Sequence, residues 1–202
     1  MINLTDDLYL GTGMHKTVYV HPTDAHLCVK ILHAAYDEDL ERELRYRKAL
    51  GKRADSMTLL TKYFGEVETS RGKGYLFERV IDYDGNSSRN MINFFEQTIK
   101  DKKNLPAVEK FLLDFKRVYF EEKIPLAGID ASNYLVQKIS PSESRVRIID
   151  NIGTSAFIPL AYYFDFFAMK RARKYWRIFM KDVGERYRIL FSEEFLRKLA
   201  EI

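Results

Sequence analysis

Arg147-Ile148-Ile149-Asp150-Asn151-Ile152-Gly153 sets a carboxylate at the end of a short apolar run and places a glycine three residues later. A β-branched run of this kind predicts a strand. An acid at its open end suits Mg²⁺, a hard cation that takes oxygen ligands and lets phosphates complete its shell. Upstream, Tyr134–Val136 and Val146–Ile149 read as two short strands around a hairpin loop, Ser140-Pro141-Ser142-Glu143-Ser144. Ahead of them, in Ile124-Pro125-Leu126-Ala127-Gly128-Ile129-Asp130-Ala131-Ser132-Asn133, Asp130 and Asn133 stand three apart just before the apolar run. Taken alone, that spacing is an Asx-rich turn.

Further out the pattern divides. Asn90–Lys100 carries Met91, Ile92, Phe94 and Phe95, and Leu105–Lys123 carries Phe111, Leu112, Phe115, Val118 and Tyr119 as a helical stripe. Helices also fill the chain after Gly153. Upstream of a turn or linker at Asp82–Asn90, the residues favour strands. Thr17–Val20 and Leu27–Leu32 flank His21-Pro22-Thr23-Asp24-Ala25, and Gly65–Thr69 and Gly74–Phe77 flank Ser70–Lys73, so both pairs predict hairpins. Between them, charged Asp37–Leu50 reads as a solvent-facing helix. The order predicts an α+β fold, with a β-rich half of roughly 80 residues followed by a helical half.

Composition narrows the class. The 202 residues include 33 Lys and Arg against 29 Asp and Glu, and a net charge of +4 does not by itself establish nucleic-acid binding. With 46% hydrophobic residues the chain is globular rather than disordered. A lone cysteine, Cys28, excludes an internal disulfide and a Cys-rich zinc site, and is expected to be a buried strand residue. Met1–Asp7 carries two acids and no apolar core, so no secretory signal is read there and a cytoplasmic location is expected. The longest apolar stretch, Ala156–Met169, is interrupted by Asp165 and is too short to span a bilayer of ~30 Å, which predicts a buried amphipathic segment. Lys170–Arg188 holds eight basic residues and two acids, interleaved with Tyr175, Trp176 and Tyr187. Two readings stand: a solvated helix face over buried aromatics, or a surface for an acidic partner, nucleic acid or anionic lipid. With no nucleic-acid motif beside it, nucleic acid is not the expected partner.

Three further elements bear on phosphate chemistry. In Leu10-Gly11-Thr12-Gly13-Met14-His15-Lys16-Thr17, two glycines in a strand–turn–strand setting permit close backbone approach to a phosphate. In Cys28-Val29-Lys30-Ile31, a lysine inside an apolar strand needs a counter-charge or a phosphate. The following helix offers Glu41 and Glu43. In this order the elements resemble the protein-kinase-like fold. The chain resembles the YrbL family in particular, the small bacterial PhoP-regulatory-network proteins with a kinase-like fold. That resemblance rests on Leu10–Gly13, His21–Ala25, Arg42-Glu43-Leu44, Phe64–Thr69, Asp150–Gly153 and Ile158–Ala161, and covers most of residues 1–165.

The resemblance implies one kinase-like domain over 1–202, with an N-lobe of about 1–80 and a reduced helical C-lobe of about 81–202. It implies Mg-ATP in the interlobe cleft, with ATP and Mg as cofactors. Gly11 and Gly13 would lie against the phosphates, and Lys30 would pair with phosphate and with Glu43. Glu78 would stand at a hinge whose backbone meets the adenine, so its side chain would matter little. Asn133 and Asp150 would hold the metal, and Asp130 is the candidate base. The acceptor, a protein or a small molecule, is left open.

Three departures qualify this. Lys16 stands where a third glycine would be, able either to meet a phosphate or to point to solvent. Gly128 stands five residues before Asn133, where the base of an active kinase would be. After Gly153 there is no long activation segment and no Ala-Pro-Glu. The expectation is therefore an ATP-dependent phosphotransferase with an atypical catalytic loop, or a catalytically inactive pseudokinase acting as a regulatory interaction module.

Overall fold

A computed structural model describes residues 1–101 and 105–202. The first half is an antiparallel sheet of β1 (Tyr9–Thr12), β2 (Lys16–His21), β3 (Asp24–Leu32), β4 (Tyr63–Thr69) and β5 (Gly72–Glu78), in the order β1-β2-β3-β5-β4. Both expected hairpins form. Register places Val18 opposite Lys30, Lys30 opposite Tyr75 and Cys28 opposite Phe77. Because side chains alternate across a strand, Val29 faces Leu4 and Tyr19, whereas Cys28 packs with Phe77, Tyr75 and Leu40 on the other face.

That second face is covered by α1 (Glu38–Leu50), whose start is capped by Asp37 accepting from the amides of Asp39 and Leu40. The expected solvent-facing helix is corrected here: Leu40, Arg42, Glu43, Tyr46 and Arg47 are all buried. The charges are tolerated inside because they pair with one another, Glu43 with Arg47 and Arg42 with Asp39. Leu40 joins the sheet core while Tyr46 joins the core of the other half, so α1 bridges the two.

The second half contains β6 (Arg89–Asn90), α2 (Met91–Asp101), α3 (Leu105–Glu122), β7 (Tyr134–Lys138), β8 (Ser144–Ile148), α4 (Asp165–Arg186) and α5 (Glu193–Ala200), with β6-β7-β8 as a small sheet. β6 lies within the expected linker, where two residues recruited beside β7 leave almost no sequence signal. An aromatic core fills this half. Trp176 is 1% exposed, and the rings of Phe115, Tyr119, Phe120 and Phe179 lie with centroids 5.1–5.7 Å from it. Its indole nitrogen donates to the Leu199 carbonyl at 3.0 Å, tying α4 to α5. The aromatics of the basic segment are thus buried, as the first of its two readings expects, with most of its cations outside.

Ala156–Met169 differs from expectation. It is not a buried amphipathic segment, since most of it precedes α4 as irregular chain and carries Phe157, Ile158, Tyr163, Phe164 and Phe166 exposed. Among the described residues no helix is long and apolar enough to cross a membrane.

Polar bonds join the halves where β8 ends. The Ile148 amide donates to the Leu59 carbonyl at 2.7 Å, and Arg147 donates to the Leu60 carbonyl at 2.9 Å. Arg147 also forms a salt bridge with Glu78 at the end of β5.

Candidate functional site

The site is the open mouth of the β7–β8 hairpin. Tyr134 pairs with Ile148, and beyond that pair the Ile149 amide donates to the Asn133 carbonyl at 3.0 Å. Asn133 and Asp150 therefore leave the hairpin side by side. Each is fixed by local chain geometry. Before β7, the Asp130 carboxylate accepts from the Ser132 amide at 2.9 Å, capping the 3₁₀ turn Ala131–Asn133. After β8, the Asp150 carboxylate accepts from the Asn151 amide at 2.9 Å and the chain turns through Asn151 at φ 59°. Ile152 bridges to Leu126, and the Gly153 amide donates to the Pro125 carbonyl at 2.6 Å. The two functional segments thus brace each other.

Two lysines from the five-stranded sheet reach this mouth. Lys16 lies 2.7 Å from the second Asp150 carboxylate oxygen. Lys30 donates to the Ile149 carbonyl at 2.9 Å and sits 4.0 Å from the centre of the Phe77 ring. Lys16 and Lys30 are only 8% and 6% exposed. Burial works against ionisation of Asp150, but Lys16 and then Lys30 outweigh it and hold the carboxyl below the usual aspartate range. With two cations and one carboxylate in contact or close range, the mouth carries an excess positive charge.

The expected site residues separate into groups. Lys30 and Asp150 come together, and the Asn133 backbone is bonded to Ile149 beside them. Gly11 lies in β1 and Gly13 in the turn after it, where the Gly13 amide donates to the Lys16 carbonyl at 2.9 Å; neither hydrogen-bonds to the mouth directly, but Lys16 closes this turn and carries its charge there. Asp130 is exposed and engaged in its own cap.

Glu43 and Lys30 are not paired. Arg47 holds one Glu43 oxygen through two bonds of 2.8 and 2.6 Å, because i and i+4 stand side by side on a helix. The other Glu43 oxygen is buried with no partner among the described residues.

At Glu78 the side chain matters more than a hinge position implies: it accepts from buried Arg147 and from the Lys62 amide at 2.9 Å, joining β5 to β8 and to the strand-entry segment before β4.

Lys16 does not point to solvent. Strand alternation carries the signal that could have placed it: Lys16 stands two residues before Val18, which pairs with Lys30, so both lysines share a face. Among the described residues no three His, Cys, Asp or Glu side chains cluster to hold a metal. A divalent ion here would have Asp150 and Asn133 and would need other oxygens to complete its shell.

A five-stranded sheet and a helical half meeting at one partly buried, lysine-flanked carboxylate define an α+β protein. The family model described as PhoP regulatory network protein YrbL matches residues 2–184, and the chain belongs to that family. It is 33% identical over 183 residues to "Uncharacterized protein YrbL" of Escherichia coli (strain K12), covering 89% of this chain and 87% of that one. A protein of the same description from Shigella flexneri matches to the same extent.

Proposed function

We propose that this chain is a single kinase-like domain, a β-rich N-lobe over a reduced helical C-lobe, that binds Mg-ATP between them. One observation carries the reading: two buried lysines meet at one partly buried carboxylate, Lys16 paired with Asp150 and Lys30 bonded to the adjacent Ile149 carbonyl. A buried ammonium without enough acceptors is costly, and Lys30 has three donors but one hydrogen-bonded carbonyl. A phosphate supplies the missing acceptors and balances the excess charge.

In this reading Lys30 and Lys16 take the phosphates, and Gly11 and Gly13 let the β1–β2 turn close over them. The backbone after Glu78 meets the base. Asn133 and Asp150 hold Mg²⁺, whose preference for one or two protein oxygens plus phosphates fits so sparse a donor set. With Mg²⁺ held by Asp150, Lys16 would be free to pair with a phosphate instead. The Glu43 oxygen left without a partner is the one that would accept from Lys30 in this reading.

Transfer to an acceptor would rest on positioning and electrostatics, because Gly128 has no side chain where a base would stand and the Asp130 carboxylate is occupied by its turn. That same observation favours a second reading, a nucleotide-sensing pseudokinase that acts as a regulatory interaction module.

Incubation with ATP and Mg²⁺, reading nucleotide products and intact protein mass together, separates the two. ADP, or a mass gain of one phosphate or one AMP, lost in Asp150→Asn, supports the enzyme. Its persistence in Asp130→Asn removes Asp130 as the base. No turnover with a raised melting temperature supports the pseudokinase. Neither turnover nor a shift overturns the nucleotide reading.

A further inference from the structure

We propose that the segment Phe157–Phe167, with the cations on either side of it, docks on an anionic lipid surface. The proposal is independent of what occupies the Asp150 site. Five large apolar side chains in this segment stand out from the protein: Phe157 is 101% exposed, Phe166 72%, Tyr163 67%, Ile158 65% and Phe164 57%. An exposed apolar cluster of this size marks an interaction site. Phe164 and Phe166 each lie against Phe167, at centroid distances of 6.3 and 5.4 Å, so the three rings form one ridge.

Positive charge flanks the ridge on both sides. Toward α1, Phe157 and Tyr163 line a cavity of about 520 Å³ with Arg45 and Lys48. Toward α4, Phe166 lines another of about 570 Å³ with Lys123, Lys170, Arg173 and Arg177. Asp165 is the one acid lining either cavity, and it is paired with Lys123. From Phe166 to Lys181 the sequence contains six basic residues and no acid. Lys170, Arg173, Lys174, Arg177 and Lys181 are exposed, and they carry the cationic face along α4.

Charge complementarity selects an anionic occupant, and the protruding rings select its kind. Aromatic side chains that project, with cations beside them, fit the headgroup region of a bilayer, where rings enter the interface and Lys and Arg meet lipid phosphates. An acidic peptide would satisfy the cations while leaving most of the ridge in water.

The test is sedimentation of the full chain with vesicles of phosphatidylcholine alone or mixed with phosphatidylglycerol. Two variants alter only exposed side chains: Phe157→Ser with Phe166→Ser, and Lys170→Gln with Arg173→Gln and Arg177→Gln. Their melting temperatures check that the fold is kept. Binding is expected on the mixed vesicles and not on neutral ones. The charge variant should weaken it about a hundredfold, at roughly fivefold per cation near such a surface. The aromatic variant should weaken it about tenfold. No binding to mixed vesicles overturns the proposal. So does binding that the aromatic variant leaves unchanged, which would make the face a simple polyanion contact. Ring-dependent binding of soluble polyglutamate at the affinity seen with vesicles would assign the ridge to an acidic protein instead.

Discussion

Replacing Gly153 by alanine tests how the mouth of the β7–β8 hairpin is held. Gly153 has φ 100°, which side-chain-bearing residues rarely adopt. A Cβ there would stand 2.6 Å from the Tyr162 hydroxyl, 2.7 Å from Arg42 Cγ and 2.9 Å from the Arg42 carbonyl. The hydroxyl cannot simply swing away, since it accepts from the Thr154 amide at 2.9 Å and its ring packs 5.0 Å from that of Tyr46. Backbone strain contributes about 1–3 kcal/mol and overpacking about 1–3 kcal/mol. The expected loss is therefore about 2–6 kcal/mol. Urea unfolding followed by circular dichroism reads it. With a slope of about 2–3 kcal/mol/M, the midpoint should fall by at least ~0.7 M. Gly184→Ala is the control, because Gly184 lies within helix α4 and nothing stands within 4 Å of its added Cβ. Alanine there should stabilise by about 0.5–1 kcal/mol. A Gly153→Ala midpoint no lower than that of the parent would refute the argument that α1 and the Tyr162 turn pin the chain after Asp150.

Other outcomes follow from the same contacts. Lys16→Met should raise the Asp150 carboxyl toward the ordinary aspartate range, read by carbon NMR titration, because it removes the leading charge that opposes burial; an unmoved titration would mean that Lys16 does not hold the carboxylate. A folded-state value below the unfolded one gives stability that is full above pH ~4 and lost as pH falls through the folded value, so Asp150→Asn should flatten that acid limb in urea titrations at stepped pH. Glu78→Gln strips the counter-charge from Arg147, which is 4% exposed, and should cost about 2–4 kcal/mol in urea unfolding; a cost below ~1 kcal/mol would make the side chain incidental. Burial pushes the Cys28 thiol up, so Ellman's reagent should modify it only slowly until the chain unfolds; prompt reaction of the native protein would contradict its place under α1.

What the sequence discloses depends on the range of the interaction. Strand alternation and turn residues expose both hairpins of the first sheet, and helical stripes expose α2 and α3, because those signals are local. Asn133 and Asp150 are legible for the same reason, since each flanks an apolar strand. The errors come from longer range. The charges of α1 suggest a solvated helix, but an i, i+4 pair can neutralise itself inside a protein, and Glu43 takes Arg47 for this reason rather than Lys30. The Glu78 side chain gains its role from Arg147, 69 residues away. Phe157 and Phe166 look like core residues because hydrophobicity alone does not say whether any other surface is left to cover them.

The only tryptophan and the only cysteine fall in different halves: Trp176 in the aromatic core between α3, α4 and α5, Cys28 in the five-stranded sheet. The native chain thus carries two intrinsic probes without labelling. Indole emission is blue-shifted while its ring is enclosed and moves to the red when the helical half opens, whereas thiol accessibility follows the sheet. Superimposed denaturation curves from the two would show that the polar bonds at the end of β8 couple the halves into one cooperative unit. Curves that separate would measure how weakly the sheet is held to the helices, and which half gives way first.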